Sequence, residues 1–435
     1  MIKWLKILLT GILVSLFYFP VVIAVFPLAI SKNILAVFGL VIVMVVLLRK
    51  KEFVLPGEFL MLLVLSGLVS IIALFAINYN QTPDDTYVMY FRSVIIWISA
   101  ACFVCYCSWK THSRIDVPLI VKYLAAVCVF QCIIAIAIHF VPAVQGFVDA
   151  NFIQGQSFFH NTGRLYGIGA YLDVGGSRFA AVLVALAFLI EQDDEKRGNT
   201  HRFWLVFAFC IITVLGNIIA RTTIVGTIIG LFYIILMEIK TLLEASKGDR
   251  KKGKSSLSSW IVVLAISIPM VVFFYQLSPP FQELMRFGFE GFFSLVEKGE
   301  WDVSSNTALE SMIVWPEEFR TWIIGDGYFE NQRNDINYIG DATTEGFYMG
   351  TDIGYLRFIF YFGVFGLLAI SATIIYTGVI AAKAFKNYAP MLMMGVLANF
   401  VVWLKVSTDL FPFLGFFAAA AFFVSDLEFL EPKNE

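Results

Sequence analysis

The sequence predicts an all-α polytopic membrane protein with about twelve transmembrane helices. Three observations carry the prediction. Hydrophobic residues make up 59% of the 435 residues and charged residues 15%, whereas soluble domains run near ~45–50% and ~25%. The apolar residues gather in long unbroken runs, not in the ten-residue alternating segments of a membrane β-barrel. Lys and Arg fall unevenly on the two sides of those runs. The same composition excludes a disordered chain and a small disulfide scaffold. The formal net charge of −2 excludes a strongly basic nucleic-acid binder.

A spanning helix needs roughly 20 mainly apolar residues. The first run, 8–29, follows Lys3 and Lys6 and has no small-residue cleavage signal, so it reads as a retained helix. The second, 33–48, ends on Arg49, Lys50 and Lys51. Runs 59–78 and 92–108 follow, the latter bounded by Lys110 and Arg114, and then 118–140. Runs 176–190 and 203–220 flank a charged turn with Lys196, Arg197 and Arg202. Arg221 marks a tight hairpin into 222–238, which closes on the basic stretch from Lys240 to Lys254. The remaining runs are 259–277, 355–380, 390–407 and 410–426. With the N-terminus inside, twelve passes place 20 basic residues in the cytoplasm and 11 outside, which sets both termini cytoplasmic.

This plan reads residues 1–435 as a single membrane domain with two long external segments. One is 141–175. The other, 278–354, lies between helices 9 and 10 and carries 14 Asp and Glu against 4 Lys and Arg. Loops beyond ~12–15 residues are usually functional or disordered. Within the larger one, 281–298 alternates Phe281, Leu284, Met285, Phe292 and Phe293 with charges, the pattern of an amphipathic helix on the outer leaflet. Pro316 ends a second short helix. No repeat relates the two halves of the chain, and many carriers have one; this favours an enzyme.

The reactive residues narrow the chemistry. Cys102, Cys105 and Cys107 form one cluster in an apolar run with no partner pair, so no metal site is expected. Gly325-Asp-Gly327 is not followed by Lys-Ser/Thr, and Gly167-x-Gly169 follows no soluble strand. Neither is a nucleotide loop, and no cofactor is expected. Of four histidines, His160 lies in the first external segment near Arg164, either as a satisfied loop histidine or as an acid–base or phosphate contact.

The external arginines are the most informative group. Arg164, Arg178, Arg221, Arg320, Arg333 and Arg357 lie on one side, and an arginine near a membrane is costly unless paired or functional. Salt bridges to Asp173, Asp352 or Glu317 would account for some of them. Convergence on a pyrophosphate would account for others, since guanidinium forks match phosphate oxygens and stay charged. A hydroxyl acceptor also needs a base, and Asp173, Asp326, Asp341, Glu345 and Asp352 stand near these arginines. Asp352 is first among them because it directly precedes a membrane run, with Arg357 about one turn further on.

Three short stretches carry a resemblance. They are the Arg-x10-Gly spacing from Arg164 to Gly175, the hairpin from Asn217 through Arg221 to Gly226, and Ile324-Gly-Asp-Gly-Tyr-Phe329 with Thr351 to Arg357 and Tyr361 to Gly366. Together with the helix plan, they make the chain resemble the O-antigen and capsular polysaccharide polymerases (the Wzy type), relatives of the O-antigen ligases. The resemblance implies a GT-C-like membrane body in the bacterial inner membrane. It implies transfer of a growing glycan from undecaprenyl pyrophosphate to the next lipid-linked repeat unit at the outer leaflet, without metal. Arg164 and Arg221 would hold the diphosphate, with Arg178, Arg320 and Arg357 in support; Asp352, Glu345 and His160 are the catalytic candidates. A chain-length regulator and a flippase are the implied partners of a monomer, and no nucleic acid is involved. Two departures stand out: 278–354 has no second Arg-x10-Gly, and it has none of the His that the ligases carry there. The alternatives are a ligase and, from another class, a flippase or transporter of the lipid-linked oligosaccharide.

Overall fold

A computed structural model describes residues 2–27, 29–50, 56–162, 164–192, 199–246, 257–330 and 346–425. In chain order its helices are α1 (Ile2–Tyr18), α2 (Ser31–Lys50), α3 (Gly57–Asn80), α4 (Tyr90–His112), α5 (Val117–Phe140), α6 (Pro142–Asn151), α7 (Gln156–Thr162), α8 (Leu172–Gln192) and α9 (Asn199–Ile219). They continue as α10 (Thr223–Ser246), α11 (Leu257–Leu277), α12 (Pro279–Gly288), α13 (Glu290–Lys298), α14 (Ser304–Ser311), α15 (Phe319–Ile323), α16 (Gly354–Ala384), α17 (Ala389–Val402) and α18 (Phe411–Ser425). One antiparallel ribbon pairs β1 (Val22–Ile23) with β2 (Phe152–Ile153).

Nine helices among the described residues are long and apolar enough to cross a membrane: α2–α5, α8–α11 and α16. The chain is thus an all-α, multi-pass membrane protein. Three of the twelve expected runs coincide with shorter helices, α1 of 17 residues, α17 of 14 and α18 of 15. The first run is cut short where α1 ends just ahead of Pro20 and the chain continues into β1, because proline fixes φ and cannot donate to a helix. Between α11 and α16 the described residues form the short helices α12 to α15 and a 3-10 turn at Tyr348–Gly350.

The contacts divide the chain into two compact units, each discontinuous in sequence. Unit 1 is Met1–Ser31 with Asp116–Val303, and unit 2 is Lys32–Ile115 with Ser304–Glu435. The segment 278–354 is therefore shared, α12 and α13 belonging to unit 1 and α14 and α15 to unit 2.

In unit 1, α8 is the central helix. It packs on α5, α9 and α10, and 89% of its apolar window is buried, against 6% for α11. Lipid is as apolar as a leucine side chain, so small residues that let backbones approach decide which helix sits inside. A Cβ on Gly226 of α10 would stand 2.2 Å from the Ala180 carbonyl oxygen of α8. Asp116 opens α5 by accepting from the Leu119 N–H at 2.8 Å, with Pro118 in the first turn, the N-cap chemistry that satisfies an orphan donor.

In unit 2, α16 packs against α3, α15, α17 and α18. It is broken at Phe362 (φ −141°, ψ 20°) and Gly363 (φ 68°, ψ −173°). A break at membrane depth is tolerated only where the freed backbone groups find partners. Here they do: the Asp326 N–H donates to the Phe360 carbonyl at 2.6 Å and the Gly327 N–H to that of Tyr361 at 3.1 Å. A Cβ on Gly363 would lie 2.2 Å from the Ile323 carbonyl oxygen. Two of the three stretches of the third motif, 324–329 and 361–366, thus meet in one backbone lock. From α3, the Asn80 amide donates to the Gly325 carbonyl at 3.0 Å; beyond its end, the Thr82 hydroxyl donates to that of Gly327 at 2.9 Å.

Candidate functional site

The first motif folds as a braced loop leading into α8. Gln131 of α5 accepts from the Ile168 N–H at 2.8 Å and donates to the Ser15 hydroxyl at 3.2 Å. Gln154 accepts from the Gly169 N–H at 2.8 Å. Gly169 has φ +75° and packs against the Phe19 carbonyl, so the sharp turn needs glycine. These braces fix the exposed Arg164 at the front of the loop and Asp173 at its end.

The second motif is the α9–α10 hairpin, which clamps the end of α12. Asn217 donates to the Gly288 carbonyl, and Arg221 Nε donates to the Phe287 carbonyl at 3.1 Å. Arg221 Nη2 pairs with Glu290 at 2.8 Å, and Thr222 donates to Asp173. The guanidinium of Arg221 lies 4.4 Å from the centroid of the Phe287 ring, and that of Arg164 lies 5.7 Å from the same centroid. The two residues expected to hold a diphosphate are brought together around one aromatic ring. No carboxylate pairs with Arg164 among the described residues, so its fork is open to an anion; that of Arg221 is held toward Glu290.

Beside Arg164 is a cavity of about 280 Å³, lined by His139, Gln145, His160, Arg164 and Tyr166 among others. His160, on the short α7, meets α6 there. Its Nε2 lies 3.0 Å from Asp149 Oδ2, 3.2 Å from the Tyr166 hydroxyl and 3.3 Å from the Gln145 amide. Tyr166 donates to the other carboxylate oxygen of Asp149 at 2.9 Å. Burial, and after it the Asp149 carboxylate, push the Tyr166 phenol up to about 12, so it remains a donor at neutral pH. Arg178 is buried in α8, 5.8 Å from the Phe19 ring, instead of joining the pair at Phe287.

The other predicted residues belong to unit 2. Arg320 pairs with Asp326 at 3.2 Å and Glu318 at 3.3 Å and donates to Asn80. Asp326 is 5% exposed and also accepts from Thr321 at 2.7 Å and Tyr348 at 3.2 Å. Burial raises its carboxyl above the ordinary carboxylate value, against the opposing pull of Thr321, Arg320 and Tyr348. Asp352 pairs with Arg357 at 3.6 Å. Arg357 is buried between two rings, 3.5 Å from the centroid of Phe329 and 3.9 Å from that of Phe347. It donates to Ser407 at 2.8 Å and to the Phe329 carbonyl at 3.1 Å. Both terminal nitrogens of its fork are engaged by the protein, an arrangement suited to anchoring the start of α16. Arg333, Asp341 and Glu345 lie outside the described residues. Among the described residues no three His, Cys, Asp or Glu side chains gather as metal ligands would.

Sequence reasoning missed Asp149, Tyr166, Gln154 and Phe287. Gln145 and Asp149 stand at i and i+4, one face of a helix, and that was the available signal. Phe287 had none, because its role depends on a hairpin far away in sequence. Compared with family models, curated proteins and solved structures, the chain shows no match, so the functional reading rests on these residues.

Proposed function

We propose that this protein is a membrane glycosyltransferase of the polysaccharide-polymerase type. In this reading it transfers a growing glycan from undecaprenyl pyrophosphate to the next lipid-linked repeat unit, on the outer face of a bacterial inner membrane, with both termini in the cytoplasm. One observation carries the reading: Arg164 and Arg221 meet at the Phe287 ring, and Arg164 lines a cavity together with His160. Two guanidiniums at a leaving diphosphate would stabilise the charge that develops as the glycosidic phosphate bond breaks. Their placement outside the apolar windows fits a substrate whose head group lies at the membrane surface. The arginines supply the positive charge, so the reaction is expected to run without a divalent cation. A chain-length regulator and a flippase are the partners this activity would need.

The test is direct. Purified protein is given a synthetic undecaprenyl-pyrophosphate repeat unit in EDTA without nucleotide, and the products are run on a gel. A ladder of chain lengths is the expected result. Transfer only to a different acceptor would make the protein a ligase. Movement of the lipid-linked sugar across liposomes without turnover would make it a flippase.

A further inference from the structure

We infer that His160, through Nδ1, is the general base that takes the proton from the acceptor hydroxyl, with Asp149 and Tyr166 as the positioning residues that prepare it. This rests on the glycosyl-transfer reading and names the base that reading leaves open.

A neutral imidazole has one donor nitrogen and one acceptor nitrogen, and the partner of one decides the role of the other. Among the described residues the polar contacts to the His160 ring all fall on Nε2: Asp149 and Tyr166, with Gln145 close by. Among the described residues none falls on Nδ1. Asp149 Oδ2 is the nearest partner at 3.0 Å, and a carboxylate only accepts. Nε2 therefore carries the hydrogen and Nδ1 the lone pair; the Gln145 amide nitrogen at 3.3 Å, itself a donor, is then a neighbour of Nε2 and not its partner. Asp149 is itself fixed, because Tyr166 donates to its second oxygen at 2.9 Å. Tyr166 in turn stacks on Phe159 with centroids 4.8 Å apart. Three elements, α6, α7 and the braced loop, thus meet to fix one ring.

His160 and Arg164 line the same cavity of about 280 Å³, with His139 and Gln145 on the wall, and Arg164 is one of the two guanidiniums at Phe287. A base and a phosphate-binding group must lie within one substrate's length of each other for an in-line displacement. The other described candidates lack this setting: Asp352 is paired with Arg357, Asp326 is bonded to Arg320, Thr321 and Tyr348, and Asp173 receives the Thr222 hydroxyl.

The step balances. As the acceptor oxygen bonds to the anomeric carbon, its proton passes to Nδ1. The bond from that carbon to the diphosphate oxygen breaks, and its electron pair stays on the diphosphate, beside Arg164 and Arg221. Asp149 holds the N–H of the resulting imidazolium, which returns its proton to solvent.

The experiment uses the full-length protein and the undecaprenyl-pyrophosphate repeat unit. His160→Ala is expected to lower turnover by ~10²–10⁴-fold with KM little changed, and imidazole added to the buffer restores part of the rate. Asp149→Asn, close in size, lowers turnover at least roughly tenfold through the wrong tautomer while its melting temperature stays near that of the wild type. The acid limb of the wild-type pH–rate profile disappears in His160→Ala. A His160→Ala protein that turns over like the wild type overturns the inference alone. So does a loss that imidazole does not relieve, with the acid limb intact. No product from wild-type protein overturns the glycosyl-transfer reading and this inference with it.

Discussion

Arg164 and Arg221 hold their guanidinium groups around the same ring, 5.7 and 4.4 Å from the centroid of Phe287, yet their surroundings differ. Arg221 is 15% exposed, paired with Glu290 and bonded to the Phe287 carbonyl. Arg164 is exposed, and no carboxylate pairs with it among the described residues. The two should therefore fail differently. Arg164→Ala is expected to cost roughly 10²–10³-fold in turnover, the scale for one lost transition-state donor, with no change in melting temperature. Arg221→Ala should lose turnover and also melt lower in detergent. Arg164→Lys should rescue only in part if the contact is bidentate. Full activity in both alanine variants would remove the diphosphate assignment.

Gly363 allows the break in α16. A Cβ there would meet the Ile323 carbonyl carbon and oxygen at 2.4 and 2.2 Å, and its φ is +68°. Both faults fall on backbone, which cannot move aside. Gly363→Ala is expected to destabilise by at least the ~1–3 kcal/mol of a residue held in a disfavoured region, read as a lower melting temperature. An unchanged melting curve would mean that the lock to Asp326 and Gly327 contributes nothing.

Arg357 tests the ring sandwich. Its guanidinium lies between Phe329 and Phe347 and bonds two further groups. A lysine keeps the charge but loses the planar stacking and the fork. Arg357→Lys should therefore destabilise by about 2 kcal/mol or more, the scale for charged hydrogen bonds lost from a buried site. A wild-type melting temperature would show that charge alone suffices there.

Asp326 gives a pH signature. Burial raises its carboxyl in the folded protein, so the folded state binds that proton more tightly than the unfolded chain does. Its contribution is greatest below the unfolded carboxylate value and is lost as pH rises through the folded one. Between roughly pH 4 and pH 7, the melting temperature of wild type relative to Asp326→Asn should fall as pH rises. A rise over that window would mean that the Arg320 pair outweighs burial.

The helices were legible because lipid imposes a simple rule: long apolar runs with satisfied backbones. Where the rule is locally broken, the sequence was less clear. Pro20 shortens the first run, and nothing in the run 355–380 itself announces that α16 breaks at Phe362. The motif residues were visible as motifs, but their jobs were not. Gly325 and Gly327 read as backbone turns and, with Gly363, as parts of a family signature; that the two stretches meet in one backbone joint was not visible. For Arg357 the sequence left open an ion pair with a neighbour such as Asp352 or a supporting phosphate contact; it is engaged by two rings, Ser407 and Asp352. Arg164, Arg221 and His160 could be picked out because charged groups between apolar helices are rare. Asp149 and Phe287 could not, because their partners come from other elements.

The two discontinuous units also set an order of events during synthesis. Asn80 and Thr82 each bond a carbonyl 245 residues further along the chain. At ~5–20 residues per second, α3 waits for roughly tens of seconds before Gly325 and Gly327 exist. During that interval the polar end of α3 must be served by water, lipid head groups or the insertion machinery. A nascent chain arrested after Val303 would hold every helix of unit 1, while α2, α3 and α4 would still lack α16. Quality control acting on unfinished chains would thus meet an early half of unit 2 before its complement, and a truncated product would present those helices as its most vulnerable feature.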